Sequence, residues 1–326
     1  MTPETSSKIL EETIDISTGR NMGEQLAFDH LKYCLVIGMP GTGKSLFCRA
    51  AHALKEDSSI VAYDDVKEQV VSEFLADPTH HKHPSFKEYP PTALHDYYIH
   101  DKIPPGLKRE AISIWNGYQI IIFNQVDHQL FKTAQEAGKK SPRHTVFVDV
   151  NFISDPPQEL ETPSSPTSKK RSFPTRKPGS HSRGEYTVKQ LLTRSPQSAH
   201  VYFFFNLYKA SLLAAKYRES MGKPGATEEE LEEIYRVTLA NRPYEIATHA
   251  TAEDSNNEII NISSSERTRH LISGIDAIRP HLRPVEQIET ILWATFVESL
   301  FAENNLARVQ MVFSLGLLGL ARKMGL

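Results

Sequence analysis

The chain has 326 residues, with 37 Lys and Arg against 40 Asp and Glu, a net charge of −3, and 39% hydrophobic residues. That length and composition exclude wholesale disorder and allow a sizeable core. The near-neutral balance excludes a chain that coats nucleic acid along its whole length. Two cysteines, Cys34 and Cys48, are too few for a disulfide framework or a cysteine-based zinc site. The acidic first twenty residues lack the basic start and apolar block of a signal peptide, and no stretch reads as a membrane span. The expectation is a cytoplasmic protein.

Taken in order, residues 1–20 are polar and aperiodic and are expected to form a flexible tail. Residues 33–37 (YCLVI) read as a buried strand ending in Gly38, followed by helical spacing at Leu46, Phe47, Ala50, Ala51 and Leu54. Residues 59–63 read as a second strand, closed by Asp64 and Asp65, and 65–76 as a helix. Residues 77–105, rich in Pro, His and Tyr, read as irregular. A helix over 107–115, a strand at 118–123 (YQIIIF), a helix at 128–138 and a strand at 145–149 follow. Strands alternating with helices over long crossovers point to an α/β fold with a parallel sheet flanked by helices.

Residues 162–184 then hold four Pro, six Ser and six Lys or Arg, without an acid. The expected organisation is a nucleotide-binding core over 21–153, a basic Pro/Ser-rich flexible loop over 154–185, and a mostly helical region over 186–326. Helices are expected at 200–221, at 227–240 behind a Thr227/Glu230 capping box, at 285–304 and at 306–323, with a short strand at 258–262.

The segment GMPGTGKS at 38–45 satisfies the G-x-x-x-x-G-K-[ST] pattern, between a strand and a helix, as that pattern requires. Glycines let backbone N–H groups close on phosphate oxygens, and the helix start adds positive potential. Gly38, Gly41, Thr42, Gly43, Lys44 and Ser45 are therefore the candidate triphosphate residues, with Lys44 on the β- and γ-phosphates and Ser45 on Mg²⁺. Asp64, twenty residues after Lys44, is placed to accept a proton from an acceptor hydroxyl; Asp149 ends the 145–149 strand as a candidate metal residue. Val150 stands where AAA-type ATPases, whose loop is similar, carry a Glu.

The glycine loop, Asp64-Asp-Val-Lys67 and the later strands resemble the polynucleotide-kinase and zeta-toxin branch of P-loop kinases, over residues 33–150. The resemblance implies an ATP- and Mg²⁺-dependent phosphotransferase in which Asp64 activates a hydroxyl acceptor and a basic lid residue clamps the phosphates. Arg171, Arg176, Arg183 and Arg194 are lid candidates, Arg183 and Arg194 foremost. Residues 123–128 lack the Glu and Arg that zeta toxins carry after the third strand, so their sugar-nucleotide substrate is not implied.

Two other readings remain open. Asn124-Gln-Val-Asp127 is similar to the guanine-reading Asn-Lys-x-Asp motif of GTPases, although no Asp-x-x-Gly switch lies between Ser45 and Asn124. A non-catalytic module, in which nucleotide stabilises a partner-binding helical region, is the other. His80, His81 and His83 lack ordered metal-ligand spacing. The basic loop has one aromatic, Phe173, so a nucleic-acid partner has no support beyond charge.

Overall fold

A computed structural model describes residues 1–24, 31–77, 84–100, 104, 106, 108–151, 184–221, 226–238, 274–301 and 303–325. The fold is α/β, built on a seven-stranded mixed sheet in the order β2-β1-β7-β6-β3-β5-β4. The strands are β1 (Thr13–Asp15), β2 (Arg20–Asn21), β3 (Tyr33–Gly38), β4 (Ser58–Ala62), β5 (Thr145–Asn151), β6 (Ala199–Phe205) and β7 (Val309–Ser314). β7, β6, β3, β5 and β4 run parallel, and β1 joins β7 antiparallel. The chain leaves β3 for the sheet edge at β4, returns to β5, then crosses to the other side of β3 at β6. The carboxyl end of β3 therefore lies at the reversal of strand order, where open α/β sheets leave a crevice for ligands.

Alternation along the strands builds two cores. Leu35, Ile37, Val146, Val148, Phe203 and Phe205 face one side. Cys34, Val36, Phe147, Tyr202 and Phe204 face the other, against α1 (Pro3–Glu11) and α2 (Lys44–Leu54). On the first side lie α3 (Tyr63–Ala76), α4 (Pro91–His100), α5 (Arg109–Ala137) and α6 (Glu185–Arg194). α7 (Tyr208–Ser220), α8 (Glu228–Thr238), α9 (Pro284–Leu300), α10 (Glu303–Leu306) and α11 (Leu315–Lys323) complete the α-helices of the described residues.

Several expectations are corrected. The first twenty residues are no tail: Thr2 caps α1, whose Leu10 is buried, and β1 pairs with β7. Residues 77–105 contain α4. The 118–123 strand is the middle of α5, where only Ile122 is fully buried while Ile120 and Ile121 stand about half exposed. A short apolar run carries no period that separates strand from helix. Conversely, 199–205 and 309–314 are strands rather than helix. Both join the sheet on two sides, and a doubly covered parallel strand reads as an unbroken apolar run. The region after 186 thus completes the same sheet. The expected strand at 258–262 and most of the basic loop lie outside the described residues.

α5 is the longest helix among the described residues. Its 29 residues span about 43 Å at the helical rise, roughly twice the length of a six-residue strand. Its carboxyl end reaches the start of β3, where Gly138 abuts Tyr33. Asp127, near its middle, meets the start of α6 at the carboxyl end of the sheet. The half before Asp127 therefore projects beyond the strands, packed with α3, α4 and an aromatic cluster of Phe74, Phe86, Tyr97, Tyr98 and Trp115.

At the opposite flank, Glu289 of α9 is buried and accepts a 2.6 Å hydrogen bond from the backbone N–H of Tyr208, at the start of α7. Burial, reinforced by the nearby Glu286, pushes its pKa up to about 8 against the Tyr208 bond, which pulls it down. The folded chain thus holds a proton that the unfolded chain releases near 4.5, and this contribution to stability falls as pH rises from there to about 8. Glu289→Gln, which keeps the acceptor oxygen, is expected to flatten that decline: its Tm should drop less than wild type's between pH 5 and 8 in thermal melts.

Candidate functional site

The turn after β3 is shaped by backbone crowding. Gly38 has φ +143°, and a Cβ there would sit 1.9 Å from the Phe204 carbonyl oxygen. Gly41, at φ +77°, would bring a Cβ within 2.8 Å of the Ser211 carbonyl of α7. Gly43, at φ +95°, begins α2, and no side chain caps that helix. Chain reversal and close approach by strand and helix leave room only for glycine at the first two positions. The loop curls around the Met39 carbonyl, which accepts the Thr42 hydroxyl and the Lys44 ammonium, each at 2.8 Å. The amides at the α2 start face the same interior, a nest with the partial positive charge of a helix N-terminus.

Asp149 stands at the carboxyl end of β5, beside the loop because β5 pairs with β3 in register, Val36 opposite Asp149. The Ser45 hydroxyl donates to its carboxylate. Asp149 and Lys44 are 7% and 5% exposed, and burial works against both charges. It raises the Asp149 carboxyl and lowers the Lys44 ammonium, while each opposes the shift of the other. Asp64 lies near enough to act on both. It occupies the first turn of α3, which follows β4 without a loop, so Asp64 and Asp65 also offset that helix's dipole. Ser45, Arg49, Tyr63, Asp64, Asp65 and Asp149 line one concavity of about 330 Å³. Arg49 donates from Nε to the Ser45 carbonyl. A wider trough of about 520 Å³ lies between α3 and α5, away from the loop, and mixes Glu73, Asp77 and Lys132 over an apolar floor.

The hydroxyl of Ser45 and the carboxylate of Asp149, with Asp64 nearby, make an all-oxygen set. Mg²⁺ takes one or two carboxylates with water and phosphate oxygens, so these residues fit it. Among the described residues no group of three or more His, Cys, Asp or Glu gathers as a self-sufficient metal cage.

The remaining sequence candidates separate from this centre. Arg194 ends α6 at the opposite end of the sheet, just before β6 begins beside Tyr33, and stacks its guanidinium 4.9 Å from the Phe131 ring. Arg171, Arg176 and Arg183, like His80, His81 and His83, lie outside the described residues. Lys67 is buried and turned to the Ile99 carbonyl at 2.7 Å and to the Phe123 ring. Asn124 is exposed in mid-helix. Asp127, also in mid-helix, accepts the N–H groups of Tyr186 and Thr187 at 3.0 Å and the Thr187 hydroxyl at 2.5 Å. The strand premise behind the guanine-reading motif is thereby removed, and Asp127 is occupied as the cap of α6. Arg218, which no motif marks, lies on α7 with its charge acting on Lys44. Only the fold of α7 over the loop reveals it.

Asp127→Ala is expected to cost about 1–3 kcal/mol in urea unfolding, since it strands buried donors at the start of α6. Gly41→Ala should lower stability by at least about 1–2 kcal/mol through its positive φ alone. Gly117→Ala, on α5 with open space around it, should raise stability by about 0.5–1 kcal/mol in the same assay.

No helix among the described residues is long and apolar enough to cross a membrane. Comparisons with protein-family models, with curated proteins and with solved structures find no match to this chain.

Proposed function

We propose that the chain is a P-loop kinase, a Mg²⁺-dependent phosphotransferase that moves the γ-phosphoryl group of ATP to a hydroxyl acceptor. The observation that carries this reading is the concavity lined by Ser45, Asp64 and Asp149, with the buried Lys44 behind it in electrostatic reach of both carboxylates. A nest of amides and a buried ammonium are built to receive an anion. A buried carboxylate touching a hydroxyl is built to receive a hard cation.

In this reading the loop amides hold the β- and γ-phosphates, and Lys44 Nζ exchanges the Met39 carbonyl for phosphate oxygens. Ser45 and Asp149 would hold Mg²⁺, which supplies neutralisation of phosphate charge as the γ-group transfers. Asp64 accepts the acceptor hydroxyl proton or orients that hydroxyl toward the γ-phosphorus. In this reading Arg218, whose charge acts on Lys44, takes the role of phosphate clamp in place of Arg194, which lies at the other end of the sheet. The projecting first half of α5, packed with α3 and α4, would wall the acceptor side.

The test is thermal shift with Mg²⁺ and ATP, followed by phosphoryl transfer to a panel of hydroxyl acceptors. At about 100 times Kd, nucleotide adds roughly 2.7 kcal/mol to wild type. Lys44→Ala should abolish this shift and turnover. Asp64→Asn should keep the shift and lose turnover about 10²–10⁴-fold. Full turnover in Asp64→Asn would refute the assigned base. Stabilisation with no transfer or hydrolysis would leave a binding module.

A further inference from the structure

At the other end of the sheet from the glycine loop, three side chains form a chain of hydrogen bonds that the proposed phosphotransfer does not use. Ser59, on β4, has its Oγ 2.9 Å from Nε2 of His144. His144 Nδ1 lies 2.6 Å from Oδ1 of Asp57, and the second carboxylate oxygen of Asp57 accepts the Ser141 hydroxyl at 2.8 Å. The hydrogen bond from His144 is the largest influence lowering the Asp57 pKa, so the carboxylate is ionised at neutral pH. An ionised carboxylate only accepts, so the ring donates from Nδ1 and, in its neutral form, presents its Nε2 lone pair to Ser59. Ser59 then donates its hydroxyl proton to that lone pair. The His144 side chain is 6% exposed, whereas Ser59 is only half-buried.

We propose that Asp57, His144 and Ser59 form a nucleophilic relay that makes Ser59 an acyl-transfer centre for small carboxylic esters. Nucleophile and base are within hydrogen-bond reach, and a third group orients the base, the arrangement that activates serine on unrelated folds. The backbone already holds the strand starts: Thr145 N–H donates to the Asp57 carbonyl at 3.1 Å, and the Thr145 hydroxyl to the Leu31 carbonyl at 2.8 Å. β4 is the last strand of the sheet, and its pairing turns alternate amides off the edge. Because Thr145 N–H meets the Asp57 carbonyl, Asp57 and Ser59 face β5 and the Ile60 N–H points outward. That N–H, next to the nucleophile, is the donor for a developing oxyanion.

In the reaction, Ser59 Oγ bonds to the ester carbonyl carbon as its proton passes to His144 Nε2. The carbon–alkoxy bond then breaks, and the leaving oxygen takes the proton from His144 and departs as alcohol. Water, giving a proton to the same nitrogen, attacks the acyl-Ser59, releasing the carboxylic acid and restoring the hydroxyl. Asp57 stays ionised throughout.

The full chain is incubated with a fluorophosphonate, and the peptide carrying Ser59 is read by mass spectrometry, alongside p-nitrophenyl acetate hydrolysis. Wild type should carry the adduct at Ser59. Ser59→Ala should lose the adduct and the hydrolysis above background. Asp57→Asn, changed at a half-exposed position, should slow both about 10²–10⁴-fold. A wild-type chain unlabelled at Ser59 overturns the proposal, however the variants fold, and so does Asp57→Asn reacting at the wild-type rate. Neither outcome bears on nucleotide binding.

Discussion

Where β3 ends, its backbone passes so close to that of β6 that the Phe204 carbonyl fills the space a side chain at Gly38 would need. That approach fixes the direction in which the chain leaves the central strand. The turn must curl with positive φ at Gly41 and Gly43, and α2 must start directly above the sheet. Lys44 and Ser45 are then the first two residues of a helix whose amides face the crevice. In-register pairing of β5 with β3 brings Asp149 alongside. One steric constraint thus delivers the amide nest, the ammonium, the hydroxyl and the carboxylate to one place.

The electrostatics follow from that geometry. Burial penalises the charges of Lys44 and Asp149, and their attraction only partly offsets the cost. A buried pair of this kind is poor as a stabilising device. It becomes favourable when an anion and a cation complete it, which is what the proposed function supplies. Cys48, in the same concavity, has its thiol pushed well up by burial and is inert there.

The two ends of the sheet have different chemistry. At the carboxyl ends, helix starts converge and the long α5 carries a helical projection beyond the strands. At the amino ends, loops return the chain and hold the hydrogen-bonded side chains of Asp57, His144 and Ser59 at the edge strand. Asp127 and Glu289 do a third kind of work, tying the starts of α6 and α7 to neighbouring helices. α7 matters for the site because its Ser211 carbonyl limits Gly41 and its Arg218 bears on Lys44.

The glycine loop was legible in the sequence because its chemistry is local: eight consecutive residues, a strand before and a helix after, decide the turn. Asp64 was legible by its distance from Lys44, one helix and one return strand. What lay beyond local reach was misread for definite reasons. YQIIIF at 118–123 is as apolar as a strand, but only packing shows that it turns two isoleucines outward on a helix. Phe203 to Phe205 and 309–314 are strands because neighbours on both edges satisfy their backbone, and no period in the sequence records a neighbour. Asp127 imitated a guanine reader until α6 placed its N–H groups against it. The sequence by itself determined the alternating α/β character and the loop that could hold an anion. The tertiary structure decided which apolar runs became strands, and which charges meet, because pairing and burial join residues far apart in the chain.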